Sequence, residues 1–230
     1  MFARRLSRSL AVATTAVAIG GGAYGIVSAT ASTGSGAART ATPASAASGG
    51  RANARSGPAA GGSIGKVSSV STSEFGLLTS AGQKVTIKET SSTTYEKGTK
   101  SASSSAVAKG KTALVVGTTS GTTITATQVI VQPNNSGSKN TSKVVPFKRG
   151  APSTSKQVGQ IPANYKQGSG TIVSGATANK ATKAALVAYP GGVVDRVVKL
   201  SNGEYEVHNI GVNWPHHIFV SQHFTVVGAN

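Results

Sequence analysis

The chain is 230 residues long, with 23 Lys and Arg against 6 Asp and Glu, a net charge of +17 and no cysteine. The missing thiols exclude a disulfide framework, a thiolate nucleophile, a Cys zinc site and a lipid-modified N-terminal cysteine. Ser, Thr, Ala and Gly dominate long stretches and aromatics are only 5%, a composition that favours small domains on linkers over one continuous core.

Arg4, Arg5 and Arg8 precede an uncharged run from Ser9 to Ser32, and Ala29-Thr30-Ala31 supplies the small-x-small pattern of a signal-peptidase site. Residues 1–31 therefore read as an export signal. A retained membrane anchor is the alternative, because the run is long enough to span and Gly21 with Gly25 gives a small-xxx-small spacing. Either way the remainder leaves the cytoplasm, and a secreted or cell-envelope location is expected. Residues 32–62 carry three arginines and no acid and read as a disordered linker. The net charge is +4 over 63–132, +6 over 133–178 and only +1 over 179–230. The excess in the linkers would attract anionic envelope polymers, or simply keep a tether soluble.

From Ser63 to Gln132, β-branched runs alternate with turn residues: Ile64–Val70, Phe75–Thr79, Lys84–Glu89, Ala113–Gly117 and Thr122–Val131. Ala81-Gly82 and Ser120-Gly121 sit where hairpin turns are needed, and Val85 and Ile87 alternate with Lys84, Thr86 and Lys88 as in a half-buried strand. Five short strands without a long helix predict a small barrel or sandwich. The order Gly65-Lys66-Val67, Phe75, Gly82, Val85-Thr86-Ile87, Lys109-Gly110, Gly117-Thr118 and Ile124-Thr125-Ala126-Thr127 resembles a family of secreted bacterial β domains. That resemblance implies an OB-like barrel and no established function. Single-strand nucleic acid would want aromatic platforms, and Phe75 with Tyr95 is all this region offers, which argues against nucleic acid. Residues 133–170 return to Pro, Asn, Ser, Gly and Lys and read as a second, basic linker.

Beyond residue 170, Thr177 is placed to cap a helix whose apolar positions Ala181, Ala184, Ala185, Ala188 and Tyr189 recur at three and four. Pro190-Gly191-Gly192 stops it. A strand from Val193 to Leu200 follows, then Asn202-Gly203, a strong hairpin signal. A two-residue turn pairs Leu200 with Tyr205, Lys199 with Glu206, Val198 with Val207 and Val197 with His208. Val198, Leu200, Tyr205 and Val207 then share the face a helix can cover, while Lys199, Glu206 and His208 share the other. Strands His217–Val220 and Phe224–Val227 complete an α+β unit.

The run Ala181–Ala188, Tyr189-Pro190-Gly191-Gly192 and Asn202-Gly203-Glu204-Tyr205-Glu206-Val207 resembles the PepSY family. Over 171–230 the resemblance implies a cystatin-like sheet around one helix. It also implies an extracytoplasmic role in restraining peptidases or contacting peptide-like partners, and it implies no catalytic residue. Asn213-Trp214-Pro215-His216-His217 replaces the usual turn and strand start. The only Trp and all four histidines gather in this C-terminal part. Trp214, His208, His217 and Glu206 are the candidate contact surface for a protein or peptide partner. His208, His217, His223 and Glu206 are the alternative, a zinc, copper or nickel site, though no ligand-spacing motif supports it. No GxSxG elbow occurs, and Glu204 and Glu206 lie two apart on one strand, so no catalytic residue is assigned and an enzyme is not expected.

Overall fold

The computed structural model of the chain describes residues 58–133, 143–151 and 154–230. The expected export signal, and the first linker up to residue 57, lie outside the described residues. Alternation of buried and exposed residues builds the first part. The strands are β1 (Ala59–Val70), β2 (Glu74–Thr79), β3 (Lys84–Lys88), β4 (Thr94–Lys97), β5 (Lys100–Ala102), β6 (Thr112–Ser120) and β7 (Thr123–Val131). In β2 and β3 every second residue is buried, as the sequence pattern requires of strands with one wet face.

β1 pairs β2, β2 pairs β3, β3 runs parallel to β7, β7 pairs β6, and β6 returns to β1. The ring is a closed five-stranded barrel of the kind expected of an OB-like domain. Closure removes the exposed edges an open sheet would present. Val67, Phe75, Leu77, Val85, Ile87, Val115, Ile124 and Val129 fill its interior. Hairpin β4–β5 adds outside the ring, with β4 parallel to β7.

Three further short strands precede the α-helix: β8 (Val145–Pro146), β9 (Val158–Gly159) and β10 (Thr171–Ile172). Helix α1 (Gly175–Ala188) starts at N-cap Ser174, earlier than Thr177, and buries Ala178, Ala181, Thr182, Ala185 and Leu186. Its small buried residues allow close approach to β1 and β6, where Leu114 and Val116 point out of the barrel into the helix-side core. Then come β11 (Val193–Lys199), β12 (Tyr205–Ile210), β13 (Val212–Trp214), β14 (His217–Val220) and β15 (Val226–Ala229). β11, β12, β14 and β15 pair antiparallel in that order, and β9 adds beyond β15.

The two regions expected to be separate share one sheet. Gly62 and Ser63 of β1 pair with Val194 and Val193 of β11, and Val193 itself enters the barrel core. Ser63 Oγ donates to the Gly192 carbonyl at 2.9 Å in the interior. A Cβ on Gly61 would overlap the Val194 carbonyl oxygen, so the approach of β1 to β11 requires glycine there. The stretches read as linkers also contribute to the fold: residues 59–62 begin β1, and 133–170 supplies β8 and β9.

The expected register of the C-terminal hairpin is corrected by one residue. Leu200 N donates to the Glu204 carbonyl and Gly203 N to the Leu200 carbonyl, so three residues, not two, form the turn, with Gly203 at φ 83°. Lys199 therefore lies opposite Tyr205, Val198 opposite Glu206, Val197 opposite Val207, and Arg196 opposite His208. Because strand side chains alternate, the one-residue slide reverses the expected faces of β11 while β12 keeps its own. Val197 joins Tyr205 and Val207 under the helix, whereas Val198 and Leu200 lie on the far face with Phe219. The expected Lys199–Glu206 cross-strand pair does not form.

Candidate functional site

The face of the C-terminal sheet turned away from α1 carries an unusual load of polar side chains. Glu206 is fully buried, and Arg196 and His217 are nearly so. Strand alternation explains the placement: with Tyr205, Val207, Ile218 and Val220 committed to the helix side, Glu206, His208, His217 and Phe219 must point the other way. Register then brings them together, because His208 faces His217 and Glu206 faces Phe219 across β12 and β14.

Two carboxylate–imidazole pairs result. His217 Nδ1–H donates to Glu206 Oε1 at 2.6 Å, and His208 Nδ1–H donates to Asp195 Oδ1 at 2.6 Å. The two rings lie 5.2 Å apart, and Arg196 Nη1 is 4.0 Å from Asp195 Oδ1. Two carboxylates and one guanidinium thus share the cluster with the two imidazoles. Glu206 Oε2 and Arg196 Nε are buried and form no hydrogen bond among the described residues. An unpaired buried charge-bearing atom is costly, and these two are the ones from charged side chains among six buried side-chain N and O atoms without a hydrogen-bond partner in the described residues.

A strap formed by residues 154–170 crosses this face. β9 pairs with β15 through Val158 opposite Ala229 and Gly159 opposite Gly228, and Gln160 N donates to the Val227 carbonyl at 2.8 Å. Ile161 and Tyr165 pack on Val198, Leu200 and Phe219. The Tyr165 ring meets Phe219 edge-on at 4.8 Å, and its hydroxyl lies 3.1 Å from His217 Nδ1. Burial raises the pKa of the Tyr165 hydroxyl well above the ordinary phenol value; the Glu206 carboxylate adds to the rise and Arg196 opposes it. The hydroxyl therefore stays protonated.

Two clefts flank the cluster. β1 and β10 border the same edge of β11 and leave residues 195–197 between them. There a cleft of ≈ 530 Å³ is lined by Asp195, Arg196, Thr118, Ser174 and Asn179. The other, ≈ 610 Å³, runs beside Tyr165 and is lined by Pro162, Asn164, Thr171, Lys199 and Ser201.

The sequence-predicted residues divide. His208, His217 and Glu206 are brought together. Trp214 is not with them: it lies on the helix side, only 2% exposed, with its ring edge-on to Tyr189 at 5.5 Å. Its Nε1–H donates to the Lys156 carbonyl at 2.7 Å, and Lys156 Nζ sits 4.8 Å above the ring. β8 and the start of the strap cover it, which is why it is no exposed contact residue. His223 lies in the exposed β14–β15 turn, at the opposite end of β14 from His217. The four-ligand metal set His208, His217, His223 and Glu206 is therefore not assembled, and no group of three or more His, Cys, Asp and Glu among the described residues is disposed to hold a metal ion.

Sequence reasoning missed Asp195, Arg196, Phe219 and Tyr165. Register alone reveals the first three. Tyr165 carried a signal, being an isolated aromatic in a stretch of small and polar residues. In the barrel, Phe75 is core, and Tyr95 is half-buried with its hydroxyl on Glu89 at 2.7 Å, so neither offers a stacking platform. No family model, no curated protein and no solved structure matches this chain.

Proposed function

We propose that this is an exported, non-catalytic binding protein whose PepSY-like region, 171–230, grips an extended segment of a protein partner on the face turned away from α1. One observation carries the reading. That face already holds a peptide segment, the chain's own strap, in which the two-residue strand β9 is followed by turns closed by Tyr165 N on the Pro162 carbonyl and Ser169 N on the Lys166 carbonyl, by means that would serve a partner equally well. The β15 edge adds a short strand, the Val198–Leu200–Phe219 surface takes an aliphatic and an aromatic anchor, and His217 with Glu206 meets the polar tip of the anchor. Strand addition with pockets for alternate side chains is a general mode of peptide recognition.

Support for the PepSY likeness is the packing of one helix on antiparallel β11, β12, β14 and β15. Both imidazole Nδ1 atoms are committed to carboxylates, Glu206 being fully buried and the Asp195 side chain 10% exposed. The likeness suggests a secreted peptidase as the partner, and the basic stretches outside the compact strands would keep the protein near anionic envelope polymers.

The test uses the full chain carrying Ile161→Ser and Tyr165→Ser, which frees the face, and a labelled synthetic peptide of residues 154–170. Saturable anisotropy is expected with the variant. Binding to the unaltered chain should be at least about tenfold weaker, because only molecules with the strap open can compete. Equal or absent binding to both, with the variant shown folded by circular dichroism, contradicts the reading.

A further inference from the structure

The strap satisfies its face incompletely. Glu206 is 0% exposed, its Oε1 accepts from His217, and its Oε2 has no partner among the described residues although the strap lies over it. The charged and titratable groups facing it are Val198's neighbour Arg196 and Asp195 on β11, His208 on β12, His217 on β14 with His216 beside it, and Tyr165 on the strap. Tyr165 fills the space next to Glu206 with a group that brings no charge; its hydroxyl lies 3.1 Å from His217 Nδ1 and also interacts with the Glu206 carboxylate, yet Oε2 keeps no hydrogen-bond partner of its own among the described residues.

We infer that the partner segment presents a lysine or arginine at the position the strap fills with Tyr165, its cation meeting Glu206. This rests on the peptide-binding reading above and specifies which peptide the face prefers. A lysine ammonium reaches from the backbone about as far as a tyrosine hydroxyl. It brings three donors, enough to satisfy Oε2 while leaving the His217 bond in place. It also adds a second cation where two carboxylates meet one guanidinium, and a charge-assisted bond in a buried site is stronger than a neutral one. The resident tyrosine then has a rationale: it packs well enough on Phe219 to keep the face closed, yet leaves the carboxylate unsatisfied, so a cationic competitor displaces it.

Two peptides of residues 154–170, with Lys or with Met replacing Tyr165, are titrated against the full chain carrying Ile161→Ser and Tyr165→Ser. The Lys peptide should bind about tenfold more tightly than the Met peptide, and Glu206→Gln in the protein should erase the difference. Equal affinities, or a preference that survives Glu206→Gln, would overturn the inference while leaving peptide binding intact. No binding by either peptide overturns both. A second measurement works within the chain and needs no added peptide. Tyr165→Lys should slow amide exchange at Gln160 relative to Tyr165→Met, and should cease to do so in the Glu206→Gln background. An unchanged Lys-to-Met ratio in the two backgrounds counts against the inference.

Discussion

The barrel and the far face of the C-terminal sheet solve the same problem in opposite ways. Inside the barrel, Val67, Phe75, Leu77, Val85, Ile87 and Ile124 present one another with nothing but hydrocarbon, and each is at most 2% exposed. On the far face, Val198 and Phe219 are as buried, but they share the layer with Glu206, Arg196 and His217. Apolar packing needs no partner of a particular kind, so the barrel is complete in itself. Buried charge is costly unless each group is paired, and here two atoms are left over. The contrast separates a part of the molecule packed through hydrocarbon from a part packed around buried charge.

The largest test of that contrast is a core truncation. Leu77→Ala in the barrel should cost about 2–5 kcal/mol. Because Val193 lies in the barrel core and Leu114 and Val116 lie in the helix-side core, chemical denaturation should lower the midpoint of a single transition. Two separated transitions would break the picture of one joined sheet. Next in size is Gly61→Ala, where the added methyl must push β1 away from the Val194 carbonyl, at about 1–3 kcal/mol by the cost of overpacking. Its signature is loss of the β1–β11 junction, read as faster exchange of the junction amides, with the barrel itself intact. A junction unaffected by Gly61→Ala would mean the two regions are not coupled through β1.

On the far face the effects are smaller and local. Tyr165→Phe removes the hydroxyl beside His217 and should cost about 1 kcal/mol or less. The change should appear at Gln160 and leave the barrel amides as they were. The pH dependence has a definite sign at His216. Burial lowers its pKa below the ordinary imidazole value of 6.5, with nearby His208 and His217 adding and the Asn209 carbonyl opposing. The folded protein therefore favours neutral His216. Its contribution is fully present above about pH 6.5 and is lost as the pH falls through that value towards the lower folded one. The thermal midpoint should fall between pH 7.5 and 5, and His216→Asn should make that fall shallower.

Much of the barrel was legible from the sequence because its strands are long, alternate cleanly and are separated by turn glycines. The expected runs coincide with β2, β3, β6 and β7 to within a few residues. The helix was legible because its spacing is dictated by one buried face, while β14 coincides with the expected strand although all four of its residues are buried. What failed was geometry that composition does not encode. Asn202-Gly203 announces a hairpin but does not say whether two or three residues form its turn, and that single residue decided which way β11 faces. β8, β9 and β13 are too short to leave a period, and two of them sit in stretches whose Ser, Lys and Gly content reads as linker. The histidines of the candidate face were visible as residues but not as pairs. Asp195 and Arg196 joined them only through the bulge at Val194–Arg196 and the slid register.

The most direct measurement of the central claim, that the strap is a separable occupant of a peptide-binding face, is native-state hydrogen exchange on the unaltered chain across low denaturant. Gln160 is held by one bond to Val227 and a two-residue strand pairing. It should exchange through a local opening that denaturant barely affects, while amides of β6 and β7 exchange only with the steep dependence of global unfolding. If Gln160 instead shares the protection and the slope of the barrel amides, the strap is an integral strand of the fold, and the far face is closed to any partner.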